Sequence, residues 1–544
     1  MPSEVRNRGI APYFVILGSV LFVHGLLLLN DGIYWDDWLW MNPTDRSLNW
    51  PNIAAAFNEM GFLPTNWLHL WLFGLVDYRI VVFVCIGASA ILLYMICQDS
   101  EYLNRMESLV IALMSVSYPA FQTWVVLSTA NYVFYYALFL LAAWLLLRAE
   151  RVVGSRHAAL RASGLVILFL SFNLISLLVF YFGLLAMVLF ERQRLQALPW
   201  RQGLGRFALG RMDYVLMPFI FWVVRETFFP RHGLYADYTR FQLSLGTFFL
   251  NCGLFLRFAI YGQLNQALKA LLEQPAFALA TVLVACWIYV ALKIGSTEFF
   301  ENNLKPHVLL LFGIFLLGLG IFPYAAVGLG PTLHGWSTRH ALLVGLPMGL
   351  IILGVARFCF AGAEGALRQL AFALLVVLIT AFSLSTIDTY ISWQARWVKD
   401  RSIITNLGTL GEFKRFSVFW IDDQYELGGE DPYDFYEWSS IFKVVSKDMS
   451  RIGLDRRYYD ANFLTDGRRY FNDRYNLSKF DPSGCQARLL IRRGRLAYSD
   501  FKLSGRYLLY KFLWPSRMSQ FLAGVTEIQV QAMADGVGNN CSGD

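Results

Sequence analysis

Residues 12–38 read PYFVILGSVLFVHGLLLLNDGIYWDDW, an apolar run that ends in a loop of carboxylates and tryptophans. The run from Pro12 to Leu29 is long enough for a membrane span, because a spanning helix needs about 20 mostly apolar residues. A signal peptide also has an apolar core, but a small-residue cleavage site follows that core. Since none follows here, we interpret the run as a retained anchor with Arg6 and Arg8 on the cytoplasmic side.

The composition of the whole chain is also that of a membrane protein. Of its 544 residues, 56% are hydrophobic and 16% are charged, whereas about 25% are charged in an average soluble domain. Residues 388–544 alone hold 42 of the 85 Lys, Arg, Asp and Glu side chains. We therefore expect a membrane domain at 1–387 and a soluble extracytoplasmic domain at 388–544. The net charge of +7 is too small to suggest a nucleic-acid partner.

Further apolar runs predict the other spans. They lie at 78–97, 108–123, 130–148, 163–190, 212–229, 276–294, 307–326, 340–357 and 367–387. The run at 163–190 has arginine-rich flanks on both sides, and the positive-inside rule places both flanks in the cytoplasm. We therefore expect it to break near 171–176 into two short helices that enter and return. The result is eleven passes, with the N-terminus inside and the C-terminal domain outside.

Two segments and the polar domain have other patterns. Residues 50–76 and 244–274 are amphipathic at helical spacing, which predicts helices in the outer membrane interface. Short mixed runs predict strands in the polar domain, with a turn at Asp422-Asp423, and the fold class there is α/β or α+β. These strand runs are 416–421, 487–491, 507–512 and 526–531. Cys485 and Cys541 lie in this domain, and whether they pair is left open.

The loop after the first span concentrates residues that can do chemistry. Asp31, Asp36 and Asp37 lie within seven positions, and Trp35 and Trp38 flank the adjacent pair. Neighbouring carboxylates repel each other, so the pKa of one of them can be raised. Such a carboxylate can act as a general base towards a hydroxyl group, and tryptophan faces suit sugar rings. The alternative is an acidic outer loop that interfacial tryptophans anchor.

This arrangement resembles the first outer loop of GT-C-fold glycosyltransferases, which are integral membrane enzymes that use polyprenyl-phosphate-linked sugars. In that family the loop follows the first helix directly, carries essential acidic residues and leads into two interfacial helices. Asp36 and Asp37 fall where that motif falls, and 50–76 where those helices fall. The resemblance implies an α-helical polytopic GT-C-like catalytic domain, with its first outer loop at 30–77. The Trp-Trp-Asp-type motif of oligosaccharyltransferases is absent from 388–544, which favours transfer of a single sugar.

A lipid-phosphate donor needs cations at the outer rim of the membrane. Arginine suits phosphate because its planar guanidinium makes two hydrogen bonds at once. The candidates for binding the donor phosphate are Arg339, Arg225, Arg231, His340 and Arg257, with His232 and Arg240 as secondary candidates. For each of these residues the alternative to phosphate binding is a structural role, in which the side chain reaches to the membrane interface or forms an internal ion pair.

These observations lead to one hypothesis and three alternatives. Asp36 or Asp37 removes the proton of an acceptor hydroxyl on a glycan, lipid or protein, and the reaction inverts the anomeric carbon. Arg339 and Arg225 balance the charge that develops on the departing lipid phosphate. The use of a metal cofactor is left open, since Asp36 and Asp37 could together hold a divalent cation. The setting is a bacterial inner membrane. The alternatives are a lipid or sugar transporter or flippase, a glycan polymerase or ligase with a diphosphate-linked donor, and a non-catalytic scaffold.

Overall fold

The computed structural model describes most of the chain, and the chain forms two compact units. The described residues are 10–42, 44–100, 102–196, 205, 207–236, 244–272, 278–293, 305–360, 365–427, 431–455, 474–481 and 484–533. The first unit comprises Met1–Leu28, Met60–Trp124 and Thr129–Ile387. The second comprises Leu29–Glu59, Val125–Ser128 and Asp388–Asp544. The carboxylate-rich loop therefore belongs to the same unit as the polar C-terminal region.

Most of the described chain is helical. In chain order the helices are α1 (Ala11–His24), α2 (Leu26–Leu29), α3 (Asp37–Trp40), α4 (Trp50–Met60), α5 (Asn66–Leu75), α6 (Tyr78–Ser100), α7 (Arg105–Ser117), α8 (Leu127–Ala149), α9 (Ser155–Ser171), α10 (Ser176–Gln196), α11 (Met212–Phe228), α12 (Leu245–Arg257), α13 (Gln263–Leu272), α14 (Ala278–Lys293), α15 (Pro306–Ala325), α16 (Gly345–Cys359), α17 (Gly365–Thr409), α18 (Phe435–Ser446), α19 (Asp500–Leu513) and α20 (Met518–Ala523). A π-helix, Phe258–Gly262, joins α12 to α13, and a 3₁₀-helix, Trp336–Val344, precedes α16.

Seven helical segments of the described residues are long and apolar enough to cross a membrane. They are Tyr78–Ser100, Leu127–Ala149, Ser176–Gln193, Leu245–Leu272, Pro306–Ala325, Trp336–Cys359 and Ala366–Thr409. Two shorter apolar helices, Ala11–His24 and Thr281–Val290, accompany them. The chain is thus of the multi-pass membrane type, while the predicted number of eleven passes and their orientation remain predictions.

Two segments differ from the expected pattern of spans. The run predicted at 108–123 forms only the 13-residue α7, which ends at Ser117. It stops there because Pro119 disfavours helical backbone at the preceding Tyr118, which is extended with ψ 116°. Residues 244–274, predicted as interfacial, instead form a long apolar helical segment, Leu245–Leu272, that meets the length and composition of a span.

The predicted break inside 163–190 is confirmed, but the second helix is not short, because Ser176–Gln193 is long and apolar enough to cross a membrane. Helix α9 ends at Ser171 and α10 begins at Ser176. Asn173 Nδ2 donates to Leu170 O at 2.9 Å and to Thr65 Oγ1 at 2.7 Å. The polar residues of the break therefore find partners inside the first unit, as non-helical backbone in an apolar setting requires.

The second unit contains a four-stranded sheet in the order β2-β1-β3-β4. The strands are β1 (Val418–Asp423), β2 (Ile452–Leu454), β3 (Gln486–Arg493) and β4 (Thr526–Ala532). β1 pairs in parallel with β2 and β3, and β3 pairs antiparallel with β4. The strands predicted at 416–421, 487–491 and 526–531 are confirmed, and the α/β character with them.

Two details of that prediction are wrong. Asp422 and Asp423 are not a turn but the last two residues of β1, because both continue the ladder with Leu490 and Ile491 of β3. The run at 507–512 is not a strand but part of α19. Cys485 is disulfide-bonded, and Cys541 lies outside the described residues.

Candidate functional site

Asp37 is fully buried in the second unit and caps the start of a helix that is distant in sequence. Its Oδ2 accepts a hydrogen bond from the N–H of Leu127 at 2.9 Å, and its Oδ1 accepts one from Ser128 at 3.0 Å. These are the first N–H groups of α8, which have no acceptor within their own helix. A negative charge also suits the positive end of the helix dipole. Both carboxylate oxygens of Asp37 therefore accept hydrogen bonds from the start of α8.

Asp36 has a different environment from its two neighbours. It keeps partial exposure, whereas Asp31 and Asp37 are buried. The hydroxyl of Tyr436, on α18, donates to Asp36 Oδ1 at 3.0 Å. Burial first, and then the charge of Asp36, raise the pKa of Tyr436 well above its usual value. The phenol therefore stays protonated and remains a hydrogen-bond donor to Asp36.

The backbone before Asp36 is held in a conformation that bulky residues rarely adopt. Trp35 has a φ of 45°, in the left-handed region, which costs a non-glycine residue about 1–3 kcal/mol. Its N–H donates to Glu437 Oε1 at 3.1 Å. Arg396 Nη2 donates to the same oxygen at 2.8 Å. A buried ion pair from the C-terminal part of the chain thus fixes the turn that presents Asp36.

Glu437 is buried and accepts the hydrogen bonds that support the Trp35 turn. Its side chain also accepts from the N–H of Asp434 at 2.8 Å, in a capping box at the start of α18. Burial raises the pKa of Glu437 from 4.5 to about 7, while Arg396 acts in the opposite direction. The support of the Trp35 turn should therefore respond to pH.

The raised pKa of Glu437 can be tested with a Glu437→Gln variant. Ionising Glu437 costs more in the folded than in the unfolded chain, so the wild type loses stability as the pH rises from 4.5 to about 7. The variant lacks this loss. We expect the melting temperature of the wild type to fall relative to that of the variant across this range, measured in detergent. A constant difference, or one that grows in favour of the wild type, would contradict the raised pKa.

Asp31 is held by cations of its own unit. Tyr507 donates its hydroxyl to Asp31 Oδ2 at 2.8 Å. Lys511 Nζ lies 3.3 Å from the same oxygen and Arg46 Nη2 lies 3.7 Å from it. Two positive charges next to one carboxylate favour a structural role for Asp31.

The two predicted tryptophans are packed inside the second unit, and each is only 3% exposed. The ring of Trp35 meets Trp393 edge-on, with 4.6 Å between centroids, and the guanidinium of Arg396 lies 5.4 Å from its centre. The ring of Trp38 lies 6.2 Å from that of Trp397. Their faces have protein partners, so any sugar contact by these rings would require the partners to move.

The predicted cations lie in the first unit, where Arg339 and His340 are neighbours on the 3₁₀-helix and both are buried. Arg339 Nη1 donates to Trp336 O at 2.9 Å, and its guanidinium lies 4.1 Å from the centre of the Trp336 ring. The ring of His340 lies 4.9 Å from that of Tyr324. The structure thus holds a buried cation and a histidine side by side among aromatic rings.

Arg225 forms a second buried cationic position in this unit. Its Nη1 lies 3.7 Å from Glu226 Oε1, and its Nη2 lies 3.5 Å from the carbonyl oxygen of Met60. Of the remaining candidates, Arg231 is half-buried and His232 and Arg257 are exposed, while Arg240 lies outside the described residues.

The first unit also contains an apolar cavity of about 410 Å³ between α6, α8, α10, α15 and α16. Aliphatic and aromatic side chains form most of its wall, and Ser100, Tyr102 and Glu191 add polar groups. Its volume is in the usual range for ligand pockets, and apolar cavities of this kind stay dry and accept apolar guests. The cavity is therefore suited to a stretch of hydrocarbon chain.

Among the described residues, no group of three or more His, Cys, Asp or Glu side chains is arranged to hold a metal ion. Arg396, Tyr436 and Glu437, which contact the Trp35-Asp36 pair, were not among the residues predicted from sequence. Their only sequence signal was the Asp434-x-x-Glu437 capping pattern, which indicates the start of a helix rather than a site.

The chain matches no model of a known protein family, and no curated protein gives a significant match to it. A functional assignment therefore depends on the residues themselves.

Proposed function

We propose that the protein is a membrane glycosyltransferase that moves a single sugar from a polyprenyl-phosphate donor to an acceptor hydroxyl. In this proposal the reaction takes place at the outer face of a bacterial inner membrane. The observation that carries the proposal is the environment of Asp36. It is the one partly exposed carboxylate of the motif, it lies on a strained turn, and a neutral tyrosine orients it.

Asp36 is the proposed general base because its environment differs from those of Asp31 and Asp37. Both carboxylate oxygens of Asp37 accept hydrogen bonds from the start of α8, and Asp31 forms ion pairs with Lys511 and Arg46. A general base must reach its substrate, so partial exposure favours Asp36. A hydrogen bond from Tyr436 holds one oxygen of Asp36 in place, which reduces the number of orientations of the carboxylate.

The proposed step is a direct displacement at the anomeric carbon. Asp36 takes the proton of the acceptor hydroxyl while that oxygen forms a bond to the anomeric carbon. The bond between this carbon and the phosphate oxygen breaks, and the lipid phosphate leaves with the electron pair. The anomeric centre is inverted. No general acid is required, because a phosphate is a good leaving group.

The proposal assigns the donor phosphate to the buried cations of the first unit. Negative charge grows on the phosphate during the displacement, and fixed positive charge stabilises it. Arg339 is the first choice because a carbonyl and an indole ring hold its guanidinium in one orientation. The apolar cavity would accommodate part of the isoprenoid chain.

One assay tests the proposal directly. The purified chain is placed in lipid nanodiscs and supplied with polyprenyl-phosphate sugars that carry a radioactive sugar, together with candidate glycan, lipid and hydroxyl acceptors. Release of polyprenyl phosphate, with label in the acceptor, is the expected result. Movement of the lipid across a vesicle bilayer without consumption would instead identify a transporter. Turnover of diphosphate-linked donors alone would identify a polymerase or ligase.

Arg339→Gln is expected to raise the KM for the donor about 10- to 100-fold, because one charge-assisted hydrogen bond to phosphate contributes about 1.5–3 kcal/mol. The matched control is Arg156→Gln, an exposed arginine of the same unit that is not among the phosphate candidates, for which we expect a change of less than about threefold. The KM values are measured with the sugar-transfer assay at saturating acceptor. Equal effects of the two substitutions would argue against a phosphate role for Arg339.

A further inference from the structure

The second unit carries one concentrated apolar patch on its described surface. Leu509, Phe512, Leu513 and Trp514, at the end of α19, are 47%, 59%, 61% and 50% exposed. They make up four of the seven large apolar side chains that are exposed in the described part of this unit. We call these four residues the 509–514 surface. Contiguous apolar surface of this kind on a polar domain marks a place of interaction.

The packing of α19 shows why these side chains point away from the protein. Leu503, Ser504 and Tyr507 are buried. Ser504 Oγ donates to the carbonyl of Ile391 at 2.8 Å, and Tyr507 bonds Asp31. With 3.6 residues per turn, positions 509 and 512 fall on the face opposite to 503 and 507, and position 513 falls at the edge of that face. The first half of α19 thus packs its apolar side chains against the protein, whereas the last turn exposes them.

Positive charge surrounds the 509–514 surface. Arg506 and Arg517 are exposed on either side of it, and Lys511 lies within it. Lys511 Nζ also donates to the carbonyl oxygen of Leu29 at 3.3 Å. Leu29 is the last residue of the apolar run that begins at Pro12. The surface therefore starts where an apolar, anchor-like segment ends.

We propose that the 509–514 surface inserts into the headgroup layer of the bilayer and binds anionic phospholipids there. Leucine and phenylalanine side chains would enter the acyl boundary, and Trp514 would lie at headgroup level, where tryptophan is enriched. The exposed side chains of Arg506 and Arg517 would contact lipid phosphates. The contact to Leu29 favours this occupant over a second copy of the chain, because a membrane is already present where an apolar span ends. The proposal does not depend on the sugar-transfer activity.

Photocrosslinking identifies the occupant. Benzoylphenylalanine replaces Phe512 or Leu513 in the full chain, which is reconstituted in nanodiscs of phosphatidylglycerol mixed with phosphatidylcholine. The control position is Lys502, an exposed residue near the other end of the same helix. Mass spectrometry should find phospholipid adducts at 512 and 513 and few or none at 502. Crosslinks to a second copy of the chain, or equal lipid adducts at all three positions, would overturn the proposal.

The charge requirement is measured in the same system. Nanodiscs of phosphatidylcholine alone should lower the adduct yield at position 512, because each basic side chain near an anionic surface increases binding about fivefold. Arg506→Gln and Arg517→Gln should each reduce the difference between the two lipid compositions. Both side chains are exposed, so folding should be unaffected. A yield that is independent of lipid charge would refute the preference for anionic phospholipids.

Discussion

Asp36→Asn is expected to lower the turnover number for sugar transfer about 10³-fold, the usual contribution of a positioned general base. Asparagine has nearly the same shape as aspartate but cannot accept the proton of the acceptor hydroxyl. Its carbonyl oxygen can still accept the hydrogen bond from Tyr436, so the Trp35 turn should be preserved. Because Asp36 is partly exposed and its side chain does not cap α3, the melting temperature should change little.

Two controls accompany this measurement. Asp45→Asn removes an exposed carboxylate of the same loop, which contacts Ser47, and should leave turnover unchanged. Tyr436→Phe removes the hydrogen bond to Asp36 but keeps the ring, and should lower the turnover number by a smaller factor, about 10-fold. If Asp36→Asn turns over donor as well as the wild type does, Asp36 is not the base.

Asp37→Ala is expected to lower the free energy of unfolding by about 4 kcal/mol, because it removes two hydrogen bonds to a charged group and leaves two buried N–H donors without acceptors. Leu127 and Ser128 are both buried, so water cannot readily replace the carboxylate. The loss of negative charge at the start of α8 adds to the effect. The measurement is reversible unfolding in mixed micelles, followed by circular dichroism.

The comparison of Asp37 with Asp36 separates structure from catalysis. The fraction of Asp37→Asn protein that remains folded should keep most of its turnover per molecule, whereas folded Asp36→Asn protein should not. The asparagine variant keeps one acceptor oxygen, so its loss of stability should be smaller than that of Asp37→Ala. A stable Asp37→Asn protein without turnover would assign catalysis to Asp37 and reverse the proposal.

Local sequence patterns predicted several elements correctly for identifiable reasons. The break at 171–176 followed from arginines on both sides of one apolar run. The strands around 418–423 and 486–493 followed from β-branched and aromatic runs between turn residues. The run at 507–512 is aromatic and apolar but contains no β-branched residue, and it forms a helix on which Leu503 and Tyr507 share a buried face. Short apolar runs are ambiguous in this way until their packing partners are known.

The three carboxylates have different roles because different parts of the chain, most of them distant in sequence, contact them. Asp37 accepts hydrogen bonds from the N–H groups of Leu127 and Ser128 at the start of a helix that is distant in sequence. Asp36 is partly exposed and accepts a hydrogen bond from Tyr436, whereas Asp31 is buried beside Tyr507, Lys511 and Arg46. No spacing within residues 31–38 encodes these contacts, since Arg46 lies 15 positions from Asp31 and the other partners lie about 90 to 480 positions away.

By itself, the sequence determined that this is a multi-pass membrane protein with a polar C-terminal region and a carboxylate-rich loop after its first apolar run. Hydrophobic length and charge distribution are local properties, and local properties can be read along a chain. Only the tertiary structure decided that this loop forms one unit with the C-terminal region and that Glu437 and Arg396 support its strained turn. A carboxylate takes its role from burial and from the donors around it, and both are set by residues that only folding brings together.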